Sequence, residues 1–310
     1  VRSKKRGIHK NQLSLFDYNY EETFRDRLLE FHASDFKEAH KAFGLGYATK
    51  TIKSGNQFEI EMYPYFRKGF GDHFNETVVK KKPTRKEQRN LNRRNAKKYL
   101  ERLIHCNFKA GDYWGTWTFE ENPESIKDVR RLFKNAILSI NRKRKRLGLE
   151  NAKYIYVLEQ TPKGRWHIHF IMDNDLEPSD VAVKWKHGYS DVKRIKCHGD
   201  EDLTALAKYM SKDREIYPEY SNEDVEEGKG ERLWDSSQHL EKPEVRVNKT
   251  KFRKKDVLGM ARDQSSIQEV LEKKYCNHDF KSCEVRYNEY NGLFYVYARM
   301  QEKRNQRIRI

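Results

Sequence analysis

Between Tyr113 and Asp213 the apolar residues switch repeatedly between a strand-like period of two and a helix-like period of about 3.6, and this alternation restricts the fold more than any other stretch. YWGTWTF (113–119) is aromatic and Thr-rich, as strands are. NPESIKDVRRLFKNAILSINRKRKR (122–146) reads as a helix, with Pro123 near its start, acids in its early turns and bases in its last ones, as the helix dipole favours. KYIYVLEQ (153–160) and RWHIHFIMD (165–173) read as strands joined by the turn TPKG. EPSDVAVKWKHG (177–188) reads as a helix closed by Gly188, YSDVKRIK (189–196) as a strand, and GDEDLTALAKYMSKD (199–213) as a helix opened by acids. The order β-α-β-β-α-β-α predicts an α+β fold: a central antiparallel sheet with flanking helices, of the split βαβ, ferredoxin-like kind.

The flanks are less regular. The expected division is a basic N-terminal region with some strand over 1–95, a central domain over 96–250, and a basic C-terminal extension over 251–310. QFEIEMYPYF (57–66) alternates as a strand does. GLGYATKT (44–51) is no phosphate loop, because Thr49 stands where Gly must precede Lys. Near the end, SCEVRYNEY and LFYVYARM flank Asn291-Gly292 and predict a hairpin with a type I′ turn. The acidic, Gly-containing stretch 218–232 reads as an exposed loop.

Charge points to partners. The chain carries 64 Lys and Arg against 47 Asp and Glu, a formal +17, which suits nucleic acid or an anionic surface. Twelve of those bases lie in 80–109 with two Glu, and KEQRNLNRRNAKKYLERLI within it predicts a basic helix with a sparse apolar stripe at Leu91, Tyr99, Leu100, Leu103 and Ile104. KTKFRKK (249–255) is a second basic patch. No run of about 18 apolar residues exists to span a bilayer, and VRSKKRGIHK has no signal-peptide pattern, so a cytoplasmic setting without membrane partners is expected. Four cysteines in 310 residues make no disulfide framework, and their spacing to histidines is not that of a zinc finger.

Two histidines one residue apart stand in a predicted strand, so His167 and His169 share a face while Trp166, Ile168 and Phe170 share the other. Two imidazoles so placed can clamp a divalent metal, although such a pair also occurs as surface or hydrogen-bonded core. The turn adds a carboxylate. With Pro162 second in a type I turn and Gly164 left-handed, the loop has three residues; Thr161 then opposes Arg165, Glu159 opposes His167 and Val157 opposes His169. Glu159 therefore joins the imidazole face. A four-residue loop would instead set Leu158 opposite His167 and turn Glu159 away. Two imidazoles and one carboxylate leave coordination positions open, as catalytic sites do, and mixed N/O donors suit Mg²⁺ or Mn²⁺.

In LTALAKYMSK, Leu203, Leu206, Ala207 and Met210 form one stripe. Tyr209 falls at its border and Lys212 one turn on. The plain reading is a boundary Tyr and a solvated Lys; the functional one is a Tyr nucleophile steadied by Lys. A phenol, with a pKa of about 10, attacks at neutral pH only where nearby positive charge favours the phenolate.

The Thr-rich strand WGTWTF, the strand WHIHF and the helix YMSK, in that order, resemble the three motifs of the HUH endonucleases, and more narrowly the rolling-circle replication initiators of bacterial plasmids and phages. The resemblance runs from about Lys97 to Val247 and includes VKWKHGYSDVKRI and LWDSSQHLEKPEV. It implies that His167, His169 and Glu159 hold one divalent ion, Mg²⁺ or Mn²⁺. It implies that Tyr209 attacks a single-stranded DNA phosphodiester to form a 5′-phosphotyrosine, with Lys212 as the motif lysine. One turn before Tyr209 stands Ala205, so the chain is similar to single-tyrosine enzymes. A third histidine, usual in relaxases, is not evident; His187 and His198 read as structural or exposed. The DNA groove is expected from Arg142, Lys143, Arg144, Lys145 and Arg146, with Arg165, Lys208, Thr116 and Thr118 nearer the motifs, and Trp114, Trp117 and Trp185 as candidate stacking rings. Implied partners are origin or single-stranded DNA and a bacterial host's helicase and polymerase; no nucleotide cofactor is expected. A mobilisation relaxase or transposase with the same chemistry, and a non-catalytic nucleic-acid-binding protein, are the alternative readings.

Overall fold

A computed structural model describes residues 24–25, 45–66, 85–161, 163–196, 203–211, 234–288 and 293–303. The chain divides into two compact units, 97–242 and a second one formed by 1–96 together with 243–310.

In the first unit, strands β4 (Tyr113–Thr118), β5 (Tyr154–Gln160), β6 (Trp166–Met172), β7 (Ser190–Arg194) and β8 (Trp234–Ser236) form one sheet in the order β7-β4-β6-β5-β8. All its pairings are antiparallel. The sheet and its helices bear out the expected α+β architecture. Helix α2 (Ile126–Arg146) closes one face. Its stripe of Val129, Phe133, Ile137 and Ile140 is buried with Trp117, Tyr156, Ile168 and Phe170. Ser125 caps it: its hydroxyl accepts from the Asp128 N–H at 3.2 Å and donates to the Asp128 carboxylate at 2.6 Å. The helix thus starts at Ile126 rather than at Asn122, because the side-chain oxygen that ends the extended segment belongs to Ser125.

The other face carries the imidazoles. Helix α1 (Arg85–Asn107) contributes Leu100, Leu103 and Ile104, and helix α4 (Thr204–Ser211) contributes Ala207 and Met210, to a core on Ile155, Val157 and Ile171. Helix α3 is shorter than expected, Pro178–Ala182. Gly188 does not end it. A Cβ on Gly188 would sit 2.5 Å from the Thr118 carbonyl oxygen, so glycine lets the chain turn tightly against β4. Between them, Trp185 leaves the helical path to stack on Trp117, with ring centres 4.8 Å apart.

In the second unit, β1 (Phe24–Arg25), β2 (Leu45–Ser54), β3 (Gln57–Phe66), β9 (Glu244–Asn248), β10 (His278–Asn288) and β11 (Leu293–Glu302) form an antiparallel sheet ordered β1-β10-β11-β3-β2-β9. Helices α5 (Lys254–Arg262) and α6 (Ile267–Lys274) pack on it through Val257, Leu258, Ile267 and Leu271. The N- and C-terminal parts, read from sequence as separate pieces, therefore share one sheet: β3 pairs with β11 from Met62–Val296 to Gln57–Gln301. Residues 244–248, expected in the central domain, pair with β2. GLGYATKT is strand, part of β2, and the terminal hairpin is present, while its Asn291-Gly292 turn lies outside the described residues.

Candidate active site

The hairpin β5–β6 builds the site. Gly164 has φ of +77°, and its N–H donates to the Thr161 carbonyl at 2.8 Å, while the Thr161 N–H donates to the Arg165 carbonyl at 2.8 Å. This is the three-residue loop with its left-handed glycine. Glu159 pairs with His167 and Val157 with His169, so the carboxylate shares the imidazole face. Thr116 and Thr118 of β4 pair with His169 and His167 from the other side.

Glu159 stands opposite His167, yet its carboxylate reaches the diagonal neighbour. His169 Nε2 and Glu159 Oε2 are 2.7 Å apart. The other ring nitrogen, Nδ1, is 3.1 Å from the Thr116 hydroxyl. Trp114 lies flat against the His169 ring, 5.5 Å between centres and 4° from parallel. His169 is thereby gripped on three sides and only 6% exposed. His167 is half-buried, its ring 6.3 Å from that of His169 and nearly perpendicular to it.

Tyr209 arrives from α4. Its ring stands edge-on to both His169, at 5.7 Å, and Trp114, at 5.4 Å. It is 43% exposed, in keeping with its position at the border of the buried stripe. The helix is pinned behind it. Ser211, buried, donates its hydroxyl to Glu101 of α1 at 2.6 Å. Sequence reasoning missed this pair and gave Trp114 only a stacking role; a serine beside the buried Met210, at the end of an apolar stripe, is the signal that could have found the first.

Among the described residues, no group of three His, Cys, Asp or Glu side chains is gathered as a metal cluster. The chemistry of the donor set nevertheless fits a divalent ion. Adjacent ligands of an octahedral ion with bonds of about 2.1 Å lie about 3 Å apart, and Nε2 and Oε2 are held at 2.7 Å by a hydrogen bond. A proton on Nδ1 instead, donated to Thr116, frees the Nε2 lone pair. His167 and Glu159 stand next to it on the same face.

The other expected residues are dispersed. Arg144 is 1% exposed and does not face a ligand. Its guanidinium grips Asp173 twice, at 2.7 and 2.9 Å, contacts Asp175, and donates Nε–H to the Glu150 carbonyl at 2.6 Å. The cause is helical spacing: Ile137, Ile140 and Arg144 continue one buried stripe. Lys143 pairs with Asp180. Arg142, Lys145 and Arg146 are exposed, but they end the helix on the sheet face opposite the imidazoles. Arg165 is exposed beside the hairpin turn, and Lys208 is exposed next to Tyr209. Thr118 donates its hydroxyl to the Tyr189 carbonyl at 3.5 Å. Trp117 and Trp185 are core residues. His187 is exposed and edge-on to Trp185, 5.2 Å away; Lys212 and His198 lie outside the described residues.

No helix among the described residues is long and apolar enough to cross a membrane. No curated protein and no solved structure matches the chain. Residues 112–214, about a third of the chain, match the model of a family described as replication-associated protein, ORF2 type. The matched span runs from the start of β4 through α4 and contains the candidate site, so the site-bearing segment is similar to the replication-associated proteins of that family.

Proposed function

We propose that this chain is a metal-dependent, site-specific DNA nicking and joining enzyme that initiates rolling-circle replication. The family match supports a role in replication, and a charge of +17 supports a polyanionic partner. The observation that carries the chemistry is the convergence of Glu159, His169 and Tyr209: an acid bonded to an imidazole at 2.7 Å, and a solvent-reaching phenol edge-on to that imidazole.

His167, His169 and Glu159 would hold a divalent ion, which when bound supplies positive charge to a phosphoryl oxygen and to a nearby phenolate. Thr116 fixes the orientation of His169, and Trp114 and His169 together form the corner that holds the Tyr209 ring. Tyr209 attacks the phosphorus of a single-stranded phosphodiester. The Tyr209 Oη–P bond forms, the P–O3′ bond breaks, and the phenolic proton passes through solvent to the departing 3′ oxygen. The products are a 5′-phosphotyrosine and a free 3′-OH, and reversal by another 3′-OH rejoins the strand. Lys212 is assigned to steady the phenolate. A mobilisation relaxase or transposase would share these steps.

A non-catalytic nucleic-acid-binding domain is the second reading. It is favoured by the Glu159–His169 hydrogen bond, which satisfies both groups without a metal. The two readings part on a denaturing gel. With Mn²⁺ and single-stranded oligonucleotides tiled across the DNA of its own replicon, the wild type gives a slow-migrating covalent adduct and Tyr209→Phe gives none. Absence of an adduct across the whole tiling set favours the binding domain.

A further inference from the structure

Tyr189 is the most exposed of the large hydrophobic side chains among the described residues, at 69%. Its place in the sheet gives that exposure a direction. The β4–β7 ladder continues past Trp117–Ser190: the Thr118 N–H donates to the Tyr189 carbonyl at 2.9 Å, and the Glu120 N–H to the His187 carbonyl at 2.8 Å. Tyr189 is therefore the cross-strand neighbour of Thr118, which in turn faces His167, which faces Glu159. Residues opposed in this way point to one side of a sheet. One row across the strands thus reads Glu159, His167, Thr118, Tyr189. Two strand spacings, about 9–10 Å, separate Tyr189 from His167.

Two features suit the ring to a ligand. The strand it precedes, β7, is the outermost strand of its sheet, so no further strand of that sheet crowds the ring. Its backbone is also fixed, because the preceding Gly188 lies against the Thr118 carbonyl where a Cβ would meet that oxygen at 2.5 Å. The nearest cation on its strand, Lys193, is 2.6 Å from Asp191, and that carboxylate offsets its charge. Attraction at this spot therefore rests on the aromatic face rather than on phosphate pairing.

We infer that Tyr189 is a stacking platform for an unpaired nucleobase, the one flanking a phosphate held at the His167–His169 end of the same face. The inference rests on the proposed function and names the part of the substrate that this edge receives. Stacking on an aromatic ring tolerates any base, so it supplies affinity without reading sequence.

The test uses the full chain and a mixed-sequence single-stranded oligonucleotide at fixed salt, with binding read by fluorescence anisotropy. Tyr189→Ala weakens binding about 5- to 150-fold, the range that base–aromatic stacking supports, and Tyr189→Phe keeps it. Thermal melting checks that both variants fold as the wild type does. With 5-iodouracil in place of thymine, long-wavelength ultraviolet light cross-links the wild type at the peptide containing Tyr189. Unchanged affinity in Tyr189→Ala, equal loss in Tyr189→Phe, or a cross-link confined to other residues overturns the platform. If Tyr209 still forms its adduct while Tyr189→Ala binds normally, only the platform fails. If the wild type binds no single-stranded DNA, both the platform and the proposed function fail.

Discussion

The two faces of the five-stranded sheet are built from alternate residues of the same strands, yet they end up as opposite kinds of surface. The α2 face is closed by aromatics: Trp117 lies 4.5 Å from Phe170, and Phe133 lies 4.1 Å from Tyr156. Its one buried cation among the described residues, Arg144, is satisfied by two carboxylates and a carbonyl. On the imidazole face, α1 and α4 cover Ile155, Val157 and Ile171, but the polar row beyond them stays partly open. Burial there stops at His169, and Tyr209 stands at the edge of the cover. One face is built for stability and the other trades closure for access. Substitutions should therefore separate: those on the α2 face change melting and leave the site's chemistry, and those on the imidazole face do the reverse.

The largest effect on stability is expected at Arg144. Arg144→Ala leaves Asp173 and Asp175 without their shared cation and should destabilise the unit by about 3–5 kcal/mol in urea unfolding. Loss of single-stranded DNA affinity with unchanged stability would instead restore Arg144 to the DNA groove. On the other face, Thr116→Val should weaken Mn²⁺ binding about 10- to 100-fold in calorimetry with little change in melting, and Thr116→Ser should restore it. Equal Mn²⁺ affinity in all three proteins would remove Thr116 as the group that orients His169. His167→Ala should lose cleavage while keeping most DNA affinity, since Lys and Arg contacts to phosphate dominate binding. The smallest effect is at the start of α2. Ser125→Ala should cost about 1 kcal/mol. It should also flatten the acid limb of stability, because the Ser125 hydroxyl, followed by Arg131, lowers the Asp128 pKa. A carboxyl lowered on folding stabilises above its unfolded pKa of about 3.9 and loses that contribution as pH falls through the folded value.

The site was more legible than its surroundings because local rules govern it. The left-handed Gly164 sets the loop, the loop sets the register, and the register carries Glu159 to the imidazole face. Tyr209 follows from a helical stripe. What failed involved partners distant in sequence or a reading by composition. RKRKR reads as a charge run, but the helical period runs through it and buries Arg144. EPSDVAVKWKHG looks helical to Gly188, but Trp185 gains more by stacking on Trp117 than by staying in the helix. The pairing of β3 with β11 joins residues more than 230 positions apart, and no local pattern encodes it. The diagonal reach of Glu159 to His169, rather than to the facing His167, also depends on side-chain packing that alternation leaves open.

The central claim is that the phenol of Tyr209, poised against His169, is the group that takes the DNA strand. Tryptic digestion of the covalent adduct, followed by mass spectrometry, tests it directly. The account predicts the nucleotide mass on the fragment Tyr209–Lys212, attached through Tyr209. Nucleotide recovered on any other residue, with Tyr209 unmodified, would contradict it.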